Sequence, residues 1–234
     1  MRRALAAAAL GAAAACHPAK PPQPAPAPAR AAAPDAGPPG DPAQEARDLL
    51  ASGRAQRERM ERNRRQPDPE PAVLATDAQG CAWDAKRARE RGAGIEAVYL
   101  EAVCTAAWAR LQGFTPLIER RVELIEAFDR AAKEAPDLDG AGPDRELGAL
   151  LAALPAYAGG DLELARKHLE DAIRRAPKDA RNRLVLARAV AVKAQDRSLF
   201  REQLQAVIDG SDQAAVAEAS ALLRRESELF AEPQ

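Results

Sequence analysis

From about residue 76 onward, apolar positions recur every three or four residues, and the runs are cut by short breakers. That period is the mark of an amphipathic helix. It predicts helices over 77–91, 95–112, 115–134, 144–158, 162–175, 180–194, 197–209 and 212–231. The breakers are Gly92-Ala93-Gly94, the stretch from Pro136 to Pro143, Gly159-Gly160-Asp161, Pro177 and Gly210-Ser211. Connections this short make consecutive helices antiparallel neighbours. The expected fold is all-α, with stacked antiparallel helix pairs forming an α-solenoid over residues 76–232.

The clearest periodic segment is Gly160-Asp161-x3-Ala165-x3-Leu169-x2-Ala172-x4-Pro177, the second-helix half of a tetratricopeptide repeat. Gly160 turns the chain, Asp161 caps the new helix and Pro177 stops it. Ala165 and Ala172 are small enough for neighbouring helices to approach, and Leu169 fills the gap between them. The pair 180–194 and 197–209 echoes the pattern less regularly, with Ala187 at the small position and Phe200, Leu204 and Val207 on the second helix. The array is tetratricopeptide-repeat-like without being regular.

Upstream the pattern changes three times. Residues 1–16 read as a signal peptide: Arg2-Arg3, an apolar run from Ala4 to Ala15, then Cys16. The run is too short to span a bilayer. Ala13-Ala14-Ala15-Cys16 resembles a lipobox, which makes Cys16 the candidate lipidation site, although the same residues suit soluble cleavage. Residues 17–43 form a Pro/Ala-rich linker, a semi-rigid spacer that would hold a folded domain clear of a lipid anchor. Residues 44–75 form a basic charged helix and linker. Leu49, Leu50 and Met60 are the only large apolar residues of 44–66, and Arg54, Arg57, Arg59, Arg62, Arg64 and Arg65 outnumber Glu58 and Glu61. The segment reads either as a contact for anionic lipid or an acidic partner, or as a solvated helix or disordered spacer. Pro67, Pro69 and Pro71 end it.

Composition agrees with the helical reading. Alanine supplies much of the 47% apolar content and aromatics only 3%, which favours helix over strand. The net charge of −1 gives no field for nucleic acid or for a membrane surface, so membrane contact is expected through a lipid anchor only. Cys81 and Cys104 lie equidistant from the turn at Gly92-Ala93, at the same height of an antiparallel hairpin. In an oxidising compartment they form a candidate disulfide; the alternative is two buried thiols. His17 and His168 are the only histidines, neither with ligand spacing to the cysteines, so no metal or other cofactor is expected.

Several stretches resemble one family. These are Gly142-Pro143-Asp144-Arg145-Glu146-Leu147-Gly148, Leu154-Pro155, Gly159-Gly160-Asp161 with Ala165 and His168-Leu169, and Gln195-Asp196-Arg197-Ser198-Leu199-Phe200 with Leu204 and Val207. Together they resemble the T component (TatT) of tripartite ATP-independent periplasmic (TRAP) transporters, over roughly residues 95–230. Val98-Tyr99-Leu100 and Trp108 occupy the region where that family carries a Tyr-Trp pair, with Leu100 in place of the Trp. The resemblance implies a periplasmic lipoprotein of stacked helix pairs, assembling as a homo-oligomer. It also implies a partner, an extracytoplasmic substrate-binding protein, and a small apolar or carboxylate ligand. His17, where an aspartate would retain a lipoprotein in the inner membrane, favours the outer one.

No catalytic constellation stands out: there is no G-x-S-x-G elbow, phosphate loop or H-E-x-x-H. His168 beside Lys167 reads as a surface or groove histidine, and the expectation is a protein that is not an enzyme. Repeat alignment places Leu147, Leu150, Leu154 and Tyr157 on one inner helix and Arg181, Leu184 and Arg188 on the next. Leu150, Leu154, Tyr157, Arg181 and Arg188 are therefore the candidate ligand groove, suited to an apolar body with an anionic head. The other reading of these residues is inter-helix core with arginines reaching to water. Two functions follow: a transport accessory, or a general scaffold binding protein segments during cell-envelope assembly.

Overall fold

A computed structural model describes residues 41–231, and the expected signal peptide, Cys16 and most of the Pro/Ala linker lie outside that range. The described chain is all-α, with no strand among its residues. Its helices are α1 (Pro42–Arg64), α2 (Pro71–Glu90), α3 (Gly94–Gln112), α4 (Phe114–Glu119), α5 (Arg121–Glu134), α6 (Gly142–Ala153), α7 (Leu162–Arg175), α8 (Ala180–Val185), α9 (Arg197–Ile208), α10 (Gln213–Arg224) and α11 (Glu226–Leu229). A 3-10 turn, Ala156–Ala158, follows α6, and α8 continues as a π-helical stretch over Leu186–Ala191. Among the described residues no helix is long and apolar enough to cross a membrane.

The basic segment expected to stand apart instead opens the packed domain. Asp41 caps α1 by accepting from the Ala43 amide at 3.0 Å, and Pro42 presets the first helical turn. Arg59 late in α1 pairs with Asp77 early in α2, while Glu45 pairs with Arg91 just past the end of α2, so the two helices run antiparallel. The boundary near residue 76 is thus misplaced, because α1 needs few large side chains to pack. Ala46, Leu50, Gly53 and Met60 are its buried residues, at spacings of three, four and seven. A Cβ at Gly53 would lie 3.1 Å from a methyl of Leu100 and 3.4 Å from the Cys81 carbonyl oxygen, so the backbones are close there. Most arginines of α1 have intramolecular partners: Arg54 with Glu96, Arg57 with Glu61 and Asp139, Arg59 with Asp77, and Arg62 with Glu58. Pro71 begins α2 rather than ending the segment.

The α2–α3 hairpin turns at Gly92 and Gly94, and Cys81 and Cys104 are joined by a disulfide with their Cα atoms 5.9 Å apart. Both are fully buried beside Leu50, Ala85 and Leu100, in a small core of their own. The main core runs through α3 to α11 around Phe128, Leu150, Leu154, Leu169, Leu186, Phe200 and Leu204. Within it α7 buries Ala165, Leu169 and Ala172 as the repeat pattern requires, with Asp161 capping by accepting from the Leu164 amide at 2.9 Å. A Cβ at Gly148 of α6 would come within 2.7 Å of Leu169 and 2.9 Å of the Ala165 carbonyl oxygen, which shows how tightly α6 and α7 pair.

Three expected helices are shorter or broken, among them 212–231, which divides at Arg225 into α10 and α11. Residues 115–134 divide at Arg120 into α4 and α5. The helix expected over 144–158 stops at Leu154, whose ψ of 148° is extended as the residue before Pro155 requires.

Candidate functional site

An open cleft of about 1390 Å³ lies among the described residues. One wall is the C-terminal end of α1, with Glu61, Arg64 and Arg65; the floor is the α7–α8 link and α8, with Lys178, Arg181 and Leu184, and then Arg188 of the π-helical stretch. The far wall is α10, with Ala214, Ala215, Ala217 and Glu218. The wall residues come from segments far apart in the chain, so only the packed fold assembles them.

Arg188 is the arginine of the cleft whose charged form its surroundings disfavour. Its side chain remains 47% exposed toward the cleft, yet the surrounding protein desolvates the guanidinium. That burial, with Arg64 and Arg110 as like-charged neighbours, lowers its pKa; Glu218, at 3.0 Å, and Glu146 oppose the shift. A cation held under these conditions is stabilised by any anion that enters the cleft. The π-helical stretch carries Arg188, and the Val192 amide reaches back five residues to the Ala187 carbonyl at 3.3 Å. Such stretches recur where a helix re-aims side chains at functional positions.

Arg181 has a different role. It grips Asp179 through Nε at 2.9 Å and Nη2 at 2.5 Å, and it donates from Nη1 to Asp139 at 2.9 Å. Its pKa is raised, first by the hydrogen bond to Asp179 and then by the two carboxylates' charges against an opposing burial. Asp139 is the centre of this network. One oxygen accepts from Arg57 at 2.7 Å, Tyr99 at 2.8 Å and Arg145 at 2.8 Å. Burial raises the Asp139 pKa, but the Arg57, Arg145 and Arg181 guanidiniums outweigh it and hold the carboxyl well below the usual carboxylate range. Asn182, fully buried, completes the cluster by accepting from Arg145 at 3.1 Å and donating to the Gly140 and Ala172 carbonyls at 3.1 Å each. The network ties α1, α3, the link before α6, α6 and α8 together beneath the cleft.

Of the sequence-derived groove residues, the fold brings Arg181 and Arg188 to the cleft, with Leu184 between them. Leu150 and Leu154 are not there. They are 0% and 1% exposed, in the main core, because the apolar face of α6 is covered by α7 and the π-helical stretch. Tyr157 is 83% exposed and does not line the cleft, since the break at Pro155 takes it off the helix. Sequence reasoning missed the α10 wall, Lys178 and Asp139. Lys178 and Asp139 lie in links without periodicity, and Ala214, Ala215 and Ala217 look like any helix-forming alanines.

His168 Nδ1 lies 2.9 Å from Asp144, whose other oxygen faces Arg175 at 3.6 Å. The pair joins α6 to α7. No cluster of His, Cys, Asp and Glu suited to a metal ion occurs among the described residues. Compared with known proteins, the chain finds no match among curated sequences. A family model does match, over residues 44–230, and it is described as the TRAP transporter T-component.

Proposed function

This chain belongs to the TRAP transporter T-component family, and on that footing we propose that it is a non-enzymatic transport accessory that holds a small anionic ligand in the cleft between α1, α8 and α10. The family makes it a component of a transport system; the ligand and its seat are our reading. The observation that carries it is Arg188, desolvated in a cleft beside Arg64 and Arg110 with one carboxylate, Glu218, at 3.0 Å. A carboxylate head would bind Arg188 and Arg64, and an apolar body would lie on Leu184 and the alanines of α10. The partner is a periplasmic substrate-binding protein that exchanges the ligand. Lipidation at Cys16 and the linker beyond it would tether the domain to the periplasmic face of a membrane, the outer one by preference.

Calorimetric titration of the full chain with octanoate, a carboxylate with an apolar tail, tests the site. Arg188→Gln is expected to weaken binding about tenfold or more, the worth of one charge-assisted hydrogen bond. An affinity unchanged by that substitution removes Arg188 from the site and the reading with it.

A further inference from the structure

The cleft is larger than a small ligand needs. Its volume of about 1390 Å³ exceeds the roughly 300–1000 Å³ of small-molecule sites. Its charge is also unbalanced. Arg181 is held by Asp179 and Asp139, and Arg188 by Glu218. The remaining acids are in use: Glu61 pairs with Arg57 at 3.1 Å, and Asp212 caps α10 by accepting from the Ala214 and Ala215 amides. Arg64, Arg65 and Lys178 are exposed and have no carboxylate at ion-pair distance among the described residues. Across from them α10 presents Ala214 and Ala217, both exposed and with side chains short enough for a polypeptide backbone to approach.

We propose that the outer part of this cleft is a docking groove for an extended acidic segment of a partner protein. Its carboxylates pair with Arg65 and Lys178 on one side, and its backbone lies along the alanines of α10 on the other. The proposal rests on the reading of the cleft as a binding site and adds its second occupant: the segment closes over the ligand held at Arg188. Charge complementarity favours an acidic chain, and a concave cleft lined from α1, α8 and α10 favours an extended strand over a flat bilayer surface.

The test uses the full chain and a fluorescein-labelled (Glu-Ala)4 peptide, with (Lys-Ala)4 as control and fluorescence anisotropy as readout. The acidic peptide is expected to bind, the basic one not, with binding weakened by salt. Arg65→Glu/Lys178→Glu is expected to weaken peptide binding about tenfold or more, because reversing both rim charges replaces attraction with repulsion. The same variant is expected to weaken octanoate binding less than it weakens peptide binding, because the octanoate head is held by Arg188 and Arg64 and feels the reversed charges only through the field of the cleft. Arg65→Ala/Lys178→Ala, which adds no charge, is expected to shift peptide affinity in the same direction by less. Peptide affinity unchanged in both variants, equal binding of the basic peptide, or rim-dependent binding of phosphatidylglycerol vesicles without peptide binding overturns the groove. The two readings fail separately. Octanoate binding through Arg188 with rim-independent peptide binding removes the groove and keeps the ligand site, and rim-dependent peptide binding without octanoate binding does the reverse.

Discussion

Asp139 adopts a φ of 54°, in the left-handed region where Asn and Asp are among the few non-glycine residues found with any frequency. That backbone turn points one carboxylate at three arginines and a tyrosine. Replacing it with Asn keeps the tolerance for this φ and removes only the charge, so Arg57, Arg145 and Arg181 would face one another around a neutral amide. The Asp139 side chain is 20% exposed, which softens the loss. Asp139→Asn is expected to lower stability by about 2–3 kcal/mol in urea titration. The sign of the pH dependence follows from the lowered pKa. The charged form contributes fully above an unfolded carboxylate pKa of about 4. Its contribution is lost as pH falls from there through the folded value. The stabilities of wild type and Asp139→Asn should therefore converge below about pH 4, and a gap that stays constant into acid would contradict the role given to this carboxylate.

Helix pairing tests itself at two glycines that look alike in sequence. In a helix interior, Gly→Ala is worth roughly 1 kcal/mol through backbone entropy alone. At Gly53 the new Cβ meets the end of the Leu100 side chain at 3.1 Å, a group that can give way. At Gly148 it meets the Ala165 carbonyl oxygen at 2.9 Å and Leu169 at 2.7 Å, and a helix backbone cannot step aside. Thermal melts are expected to show Gly53→Ala within about 1 kcal/mol of wild type and Gly148→Ala destabilised by about 1–3 kcal/mol; similar effects at both sites would mean that α1 and α7 pack with equal tightness. The contrast also shows how much of the fold was legible. The Asp161–Pro177 pattern gave α7 with its cap and its buried alanines, because small and large apolar positions alternate at helical spacing there. Arg181 and Arg188 could be placed on one inner helix for the same reason. Leu150 and Leu154 carried the same period, but periodicity marks a buried face without saying whether a neighbouring helix or a ligand covers it. The docking of α1 was hidden because Gly53 and Ala46 register as non-apolar or weakly apolar, and its arginines find partners as distant in sequence as Asp139.

The whole molecule is built from layers that share little core. Cys81, Cys104, Leu50 and Leu100 form one small cluster, while Phe128, Leu150, Leu169 and Phe200 belong to another that runs through the later helices. In stacked repeats each unit contacts mainly its neighbours, so loosening one end need not loosen the rest. The Cys81–Cys104 bond closes a loop with a sequence separation of 23 residues, worth about 3 kcal/mol in the chain-entropy account. Reduction should act on the layer that contains it. Hydrogen exchange after reduction is expected to rise in peptides from α1 and α2 and to stay near the oxidised rate in α7 and α9. The effect should also reach the cleft, because Arg64 and its neighbours stand on the end of α1 as one wall. Octanoate affinity is therefore expected to fall on reduction although the disulfide lies in a different layer and does not line the cleft. Arg57 and Asp139 oppose that outcome, since their 2.7 Å contact anchors α1 to the link before α6 independently of the disulfide. Combining reduction with Arg57→Met separates the two anchors: if each restrains α1, exchange in α1 rises further in the double perturbation than in either alone. Uniform exchange across all helices on reduction would show instead that the layers unfold as one unit and that α1 is not a separately restrained wall.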